Sequence, residues 1–170
     1  SDLVAQGRRP GDIMVLARKR VALRPVSEAL SERQLPHVMP EPMNLGDEAE
    51  ARDLLAVLDV LSSRGQDLSL AIALKSPLFD ASDEELLALS RAARGRGSWW
   101  AALQDPETAW SGALARARAL LAGWAEAMAW LPPHDLLDRI VHEGELIPRL
   151  VAAVPAARRE RALQVVDGLM

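Results

Sequence analysis

The chain has 170 residues, of which 49% are hydrophobic and none is cysteine, and its formal net charge is −4 at pH 7. These values predict one or two folded domains with a hydrophobic core, and they exclude disulfides and thiolate metal sites. The acidic balance disfavours a free-standing nucleic-acid-binding protein, because such proteins are usually basic. The absence of cysteine fits a reducing compartment, so we expect a cytoplasmic protein. No run approaches the roughly 18 apolar residues of a membrane span, so no membrane partner is expected.

The first predicted element is a short β-strand over residues 12–17. Five consecutive apolar residues follow Asp12 and end at a cation, the pattern of a strand buried on both faces of a parallel sheet. Ligands of open parallel sheets bind at the carboxyl ends of the strands, and here that end carries Arg18, Lys19 and Arg20. The pattern favours an anion site, with phosphate as a candidate. The simpler interpretation is a solvated basic turn.

The next residues predict a crossover back to the same sheet. Residues 21–33 have the apolar spacing of a helix, with Pro25 in the first turn, where its missing N–H costs nothing. Residues 35–39 are a candidate second strand, which completes a β-α-β unit. Residues 1–7 fit the end of a helix, and residues 40–46, with two prolines and a glycine, predict a loop.

Everything after this loop predicts helix. The capping-box pattern Ser82-Asp-Glu-Glu85 opens one helix, and Asp105-Pro106 is expected to open the longest, as its N-cap and first helical residue. The apolar seam of that helix repeats in steps of four and three residues, as in a helix packed lengthwise on others. The seam residues are Trp110, Leu114, Ala117, Leu121, Trp124, Met128 and Leu131. The other predicted helices cover residues 47–63, 66–75, 133–142, 145–153 and 155 onward, with a short turn after Ser98.

The chain is therefore predicted to be mainly α, with a small β-α-β piece over residues 1–44 and an all-helical domain over residues 45–170. Two strands are marginal alone, so the β-α-β piece is expected to belong to a larger sheet. The chain starts without methionine and stops within a helical pattern. We therefore expect a segment of a longer protein.

Four segments, in a fixed order over about 75 residues, carry a resemblance to a known family. The first is Asp12-Ile-Met-Val-Leu-Ala-Arg18, and the second is Glu28-Ala-Leu30 with Leu35-Pro36. The third is Glu50-Ala-Arg-Asp-Leu-Leu55. The fourth is Leu74-Lys-Ser-Pro-Leu-Phe79, followed by Ser82-Asp-Glu-Glu-Leu86.

In this order the segments resemble motif IV, the helix and strand after it, motif IVa and a further segment of UvrD/Rep-type superfamily 1 DNA helicases. The last segment is typical of the AddA branch, the exonuclease V beta-like helicases of double-strand-break repair. The resemblance implies that residues 1–44 belong to the RecA-like motor domain 2A and residues 45–170 to the helical 2B insertion. It also implies ATP and Mg²⁺ as cofactors of the whole protein, with DNA and an AddB-like nuclease subunit as partners.

The resemblance also assigns roles to individual residues. Arg18 matches the motif IV arginine that reaches the phosphates of ATP, and a planar fork of donors suits phosphate oxygens. Ala17 stands where the family often has an aromatic residue against adenine, so stacking from this position is not expected. Glu50 and Asp53 match the acids of motif IVa near the base of the 2B domain, where no catalytic role is assigned.

The sequence lacks the other parts of an ATPase. There is no G-x-x-x-x-G-K-[ST] loop and no Asp-Glu pair after a strand. We therefore expect one edge of an ATP site, no catalytic residue, and neither activity nor a bound cofactor for this chain alone. The whole protein would be an ATP-dependent DNA helicase, with exonuclease activity as a further candidate. The alternatives are a helical protein-interaction module without nucleotide or DNA binding, and a free nucleotide-binding regulator.

Two basic clusters are candidates for nucleic-acid contact. Arg94 and Arg96 precede Trp99, and arginines with aromatic residues suit single strands. Arg158 is one of three arginines at the start of the last predicted helix, where cations oppose the helix dipole and favour an anion or an acidic partner. Core packing of the tryptophan and solvated basic faces are the simpler interpretations. The three histidines are scattered without the spacing of a metal site, so no metal is expected.

Overall fold

The computed structural model describes residues 8–35, 37–38 and 45–170. The chain divides into two compact units, residues 1–43 and residues 44–170, called here the N-terminal unit and the helical unit. The described residues form nine α-helices and no β-strand, so the fold is mainly α, as the helical periodicity predicts. Among the described residues, none of the helices has the length and apolar character needed to pass through a bilayer.

The described part of the N-terminal unit contains one α-helix, α1 (Arg24–Glu32). Short 3-10 turns precede it at Pro10–Asp12 and Arg20–Leu23. Pro25 lies in the first turn of α1, which confirms its predicted position. Residues 13–17, between the two turns, have no regular secondary structure.

The predicted strand over residues 12–17 is therefore not formed, and its predicted burial is not observed. Met14 and Leu16 are 81% and 84% exposed. A strand is held by hydrogen bonds to a neighbouring strand. Among the described residues of the second predicted strand, 35 and 37–38 have no regular structure, so they provide no such neighbour. The predictions for residues 1–7, 36 and 39–44 lie outside the described residues.

The helical unit begins with a 3-10 turn at Leu45–Asp47 and continues through eight helices in its described residues. These are α2 (Ala49–Ser62), α3 (Asp67–Lys75), α4 (Asp83–Ala92), α5 (Trp99–Leu103), α6 (Gly112–Ala127), α7 (Pro133–Glu143), α8 (Leu146–Ala153) and α9 (Ala156–Asp167). The short turn at residues 63–66 joins α2 to α3, and these two helices pack against one another. The last helix, α9, packs on α2 and α8.

The core of the helical unit is organised around Trp124 of α6. Its side chain is fully buried and packs on the ring of Phe79, with ring centroids 6.1 Å apart. The indole Nε1 donates a hydrogen bond of 2.9 Å to Oε2 of Glu143 on α7. A large apolar surface with one satisfied polar atom suits tryptophan at a core position.

Two side chains determine where α4 and α6 begin. Ser82 Oγ accepts from the backbone N–H of Glu85 at 3.1 Å, and Glu85 Oε2 accepts from the N–H of Ser82 at 2.8 Å, which confirms the predicted capping box. Glu85 Oε1 also accepts from the N–H of Ala113 at 2.9 Å, in the first turn of α6. These hydrogen bonds lower the pKa of Glu85, the one from Ser82 having the largest effect.

The predicted start of α6 at Asp105 is wrong, because the helix begins at Gly112 after Ser111. Asp105 instead closes a local turn, accepting from the N–H of Glu107 at 3.1 Å and the hydroxyl of Thr108 at 3.0 Å. Aspartate favours such turns because its carboxylate satisfies nearby backbone donors.

The middle of the predicted seam is confirmed, whereas Trp110, Met128 and Leu131 lie outside the helix, although Trp110 and Leu131 still pack against the core. The four central seam residues are buried, and they are Leu114, Ala117, Leu121 and Trp124. Trp110 precedes the helix and donates from its indole to the carbonyl of Leu103 at 3.0 Å. Met128 follows the helix and is 40% exposed.

Candidate functional site

Arg18, the predicted phosphate ligand, is an exposed residue of the N-terminal unit. Within the described residues the structure records no hydrogen bond or ion pair of its guanidinium. Ala17 and Lys19 are exposed beside it, and the side chain of Arg20 lies outside the description. The guanidinium donors of Arg18 are therefore available to an oxyanion supplied from outside this unit.

Glu50 and Asp53, the predicted motif IVa acids, lie three residues apart near the start of α2 and so share one face of the helix. Glu50 is buried, with 6% of its surface exposed. Asp53 is half-buried. Carboxylates withdrawn from water need a compensating partner, and the two residues differ in whether they have one.

Glu50 has a partner on the last helix. The guanidinium of Arg158 on α9 lies 3.5 Å from Oε1 of Glu50. One turn further, Arg161 donates to Oε1 of Glu48 at 2.6 Å from Nη2 and 3.2 Å from Nε, which lowers the pKa of Glu48. The structure thus provides Arg158, a predicted nucleic-acid residue, with an acidic partner inside the same chain.

No such partner is recorded for Asp53. Within the described residues, no hydrogen bond or ion pair of its carboxylate is found. Burial, together with the negative charge of Glu50, raises the pKa of Asp53 to about 6. Burial disfavours the charged form of a carboxyl group, and a like charge nearby adds to this effect.

Asp53 lines a cavity of about 370 Å³, called here the α2–α3 groove. The groove is lined by Asp53 from α2, by Ala71, Ile72 and Lys75 from α3, and by Ser76 and Pro77. Two of the four segments that carry the family resemblance, residues 50–55 and 74–79, therefore meet here. A half-buried carboxyl group with a raised pKa in a concave surface is a candidate functional residue.

The cation within the groove does not neutralise Asp53. Lys75 directs its Nζ to Oδ1 of Asp83 at 2.8 Å, and this hydrogen bond raises the pKa of Lys75 and lowers that of Asp83. Asp53 is thus left to accept a hydrogen bond, or to pair with a cation, from a ligand. Glu50 is engaged with Arg158, whereas Asp53 has no recorded partner among the described residues, so the two acids differ in their surroundings although the charge of Glu50 acts on Asp53.

Arg96, a second predicted nucleic-acid residue, is engaged in the turn between α4 and α5. Its guanidinium lies 2.6 Å from Oδ2 of Asp105 and donates to the carbonyl of Ala92 at 2.7 Å. Arg94 is exposed in the same turn, and the structure records no side-chain partner for it among the described residues. Of these two arginines, only Arg94 has its guanidinium available for a phosphate.

Trp99 and Trp100 belong largely to the core, as in the simpler interpretation. Trp99 is half-buried and packs on the core, and its backbone N–H donates to Oδ1 of Asp67 at 2.8 Å. Trp100 is 8% exposed, and the guanidinium of Arg64 lies 5.5 Å from its ring centroid. This cation–π contact was not predicted, because the pattern of the sequence does not connect two such distant residues.

Two of the three histidines make local contacts. His142 Nδ1 lies 3.2 Å from Oδ1 of Asp138, and His37 Nε2 lies 2.7 Å from Oγ of Ser27. The structure shows no group of three or more potential metal ligands among residues 8–35, 37–38 and 45–170.

A larger cavity, of about 440 Å³, lies against α7, α8 and α9. Its lining includes the apolar side chains of Val141, Ile147, Leu163, Val166 and Met170. Its carboxylates, Glu160 and Asp167, lie on the exposed part of α9. The α2–α3 groove is the better candidate site because it contains a half-buried carboxylate that lacks a recorded partner.

The sequence was compared with protein-family models and with curated proteins. No protein-family model matches the sequence, and a comparison with curated proteins found no significant match. The resemblance to superfamily 1 helicases therefore depends on the four sequence segments alone.

Proposed function

We propose that the chain is a segment of an AddA-like ATP-dependent DNA helicase/exonuclease that acts in double-strand-break repair and recombination. It contains the opening of motor domain 2A and much of the 2B insertion. The observation that carries this proposal is the order and spacing of the four family-like segments between residues 12 and 86. The mainly helical fold after residue 44 is compatible with a 2B insertion.

In this proposal, residues 12–17 form a strand once the rest of the 2A sheet is available to pair with them. The exposure of Met14 and Leu16 supports this, since apolar side chains in a continuous run gain free energy from burial. The strand then presents Arg18 at its carboxyl end, where ligands of parallel sheets bind. Arg18 contacts the phosphates of ATP, and its exposed guanidinium, which has no recorded partner among the described residues, supports that role.

The remaining parts of the proposal concern the whole protein. ATP and Mg²⁺ bind there, with the phosphate-binding loop and the magnesium ligands supplied by other parts of the polypeptide. DNA is the substrate, an AddB-like nuclease subunit is the partner, and the location is the cytoplasm. The segment alone does not hydrolyse ATP, because its sequence has no phosphate-cradling loop.

The test uses the complete gene product. The complete protein is expected to contain a Walker A loop before the residue numbered Ser1 here. Arg18→Ala is expected to lower its DNA-stimulated ATPase rate by about 10²-fold. Lys19→Ala, which removes the neighbouring exposed cation, is the matched control and is expected to change the rate far less. A gene without a Walker A loop, or an unchanged rate in Arg18→Ala, rejects the proposal.

A helical protein-interaction module is the second candidate function. Two observations favour it: Arg158 is paired within the chain, and Leu68, one helical turn before the groove residue Ile72, is 74% exposed. The two candidates differ in DNA binding. Binding to duplex DNA that weakens steeply with salt supports the helicase proposal, whereas the absence of DNA binding supports the interaction module.

A further inference from the structure

The ionised form of Asp53 is disfavoured where it stands, and among the described residues the structure records no hydrogen bond or ion pair that compensates for it. The carboxylate is half-buried, which disfavours its charged form, and the like charge of Glu50 adds to this effect. A group held at a cost in free energy is typical of binding and catalytic sites, where it serves a ligand rather than the fold.

The charges around Asp53 define what such a ligand must carry. Glu50 is engaged with Arg158, and Lys75 is engaged with Asp83. Neither nearby cation is therefore directed at the Asp53 carboxylate. An incoming cation gains an ion pair there, whereas an incoming anion meets the negative charge of Asp53.

The apolar surroundings define the rest of the ligand. Ala71, Ile72 and Pro77 line the groove beside Asp53, and Ile72 is 41% exposed. Leu68 lies one turn before Ile72 on α3, so the two share one face of the helix. Leu68 is 74% exposed, and the exposed apolar surface of α3 thus extends from Ile72 to Leu68.

We propose that the α2–α3 groove docks a segment of a partner protein that presents an arginine or lysine next to an apolar side chain. The cation pairs with Asp53, and the apolar group packs on Ile72 and Leu68. An arginine suits the site well, because its apolar stem can cover Ala71 and Pro77 while its head reaches a carboxylate. The inference is independent of the helicase proposal, since it uses only the charges and apolar surface of the groove.

A metal ion is a poorer occupant of the groove. Mg²⁺ and Ca²⁺ need several oxygen ligands. Asp53 is the only carboxylate among the residues that line this groove. A single cationic side chain needs only one carboxylate and an apolar wall, which is what the groove provides.

The test is a titration of the full 170-residue chain with butylguanidinium, which reproduces the arginine side chain. Binding is monitored by the backbone amide signals in NMR spectra. Butylurea has the same shape without the charge and is the matched control ligand. Butylguanidinium is expected to shift the amides of Asp53, Ala71, Ile72 and Lys75 in a saturable way. Butylurea is expected to bind about tenfold more weakly, as the loss of a charged pair implies.

Two variants complete the test. Asp53→Asn is expected to weaken butylguanidinium about tenfold and to leave butylurea unchanged. Asp53→Asn is expected to remain folded, because the substitution removes a charge that burial disfavours. A loss of binding in this variant therefore reports on the site and not on unfolding. Asp59→Asn changes an exposed carboxylate of the same helix and keeps an oxygen that can accept the hydrogen bond from Ser69, so it is expected to bind both ligands like the wild type.

The proposal is overturned if the two ligands bind equally, or if neither shifts the groove amides. It is also overturned if butylguanidinium binds Asp53→Asn as tightly as it binds the wild type. A peptide carrying arginine four residues from leucine, compared with the same peptide carrying citrulline, extends the test to a protein-like ligand. The arginine peptide is expected to bind more tightly, and equal affinities contradict the proposal.

Discussion

Arg158 of α9 lies 3.5 Å from the carboxylate of Glu50 on α2, and this ion pair joins the last helix of the helical unit to its first. Glu50 is 6% exposed, whereas the side chain of Arg158 is 58% exposed. A buried carboxylate that loses its cation stays in a poorly solvated site. The arginine therefore matters for the fold even though most of it is in water.

Arg158→Met is expected to lower the free energy of unfolding by about 1–3 kcal/mol. This is less than the roughly 3–5 kcal/mol for a fully buried pair, because water screens the exposed arginine. Chemical denaturation at neutral pH measures the change. Arg91→Met is the control, since Arg91 is exposed on α4 and the structure records no side-chain partner for it among the described residues.

A double-mutant cycle with Glu50→Gln separates the pair from other effects. If the ion pair carries the change, Arg158→Met costs little in a chain that already carries Glu50→Gln and so has no carboxylate at this position. Equal costs in both backgrounds contradict the assignment. In that case the loss comes from the packing of the arginine stem.

Asp53→Asn is expected to stabilise the protein at high pH. The folded-state pKa of Asp53 is about 6, above its ordinary value of 3.8. Between these values the folded state holds a proton that the unfolded chain has released, so wild-type stability falls as pH rises through this window. Asparagine does not titrate, and the variant avoids this loss.

The melting temperature of Asp53→Asn is therefore expected to exceed that of the wild type at about pH 8. Its advantage over the wild type is expected to shrink steadily as the pH falls to about 4. Thermal melts across this pH range make the measurement, with Asp59→Asn as an exposed control on the same helix. A difference that does not vary with pH contradicts the raised pKa.

The sequence predicted most of the helical unit but not the contacts that define its candidate site. Helical periodicity located the buried seam of α6, and the capping box of Ser82 and Glu85 was correct, because both depend on residues close in sequence. The pairing of Arg158 with Glu50 depends on how distant helices pack. No local pattern contains that information.

The false helix start at Asp105 and the missing strands have different causes. Asp105 looked like a helix cap, but its carboxylate closes a turn instead, and aspartate suits both roles. Residues 12–17 have the composition of a strand, yet a strand forms only where a neighbour can pair with it. Composition predicts the tendency of such a segment to form a strand. The described part of the N-terminal unit contains no strand with which it could pair.

Gly112→Ala is expected to destabilise the protein by about 1–2 kcal/mol. Gly112 has a φ of +56°, and a Cβ added there would lie 2.7 Å from Oε1 of Glu85. The substitution strains the backbone and disturbs the carboxylate that accepts from Ala113 at the start of α6. Denaturant unfolding measures the loss.

Gly123→Ala is the matched control for this prediction. Gly123 lies within α6, and a Cβ added there meets no atom within 4 Å apart from its chain neighbours and the adjacent backbone of its own helix. Alanine is the better helix former, so this variant is expected to gain up to about 1 kcal/mol. Two substitutions of the same chemistry are thus expected to have opposite signs, and a similar loss in both contradicts the role given to Gly112.

Arg94 and Arg96 are expected to behave differently although they are two residues apart. Arg96→Gln removes an ion pair with Asp105 and a hydrogen bond to Ala92, so it is expected to lower the melting temperature. Arg94→Gln is expected to leave the melting temperature unchanged, since its exposed side chain has no partner recorded in the described residues.

In DNA binding, Arg94→Gln is expected to have the larger effect of the two substitutions. The guanidinium of Arg94 is available to replace counterions on a phosphate, whereas that of Arg96 is engaged with Asp105. If this turn contacts the DNA backbone, as the helicase proposal expects, Arg94→Gln lowers the slope of log affinity against log salt by about one. A fluorescence titration of labelled duplex DNA at several salt concentrations measures the slope. An unchanged slope removes Arg94 from the DNA contacts, and no binding by the wild type favours the protein-interaction module.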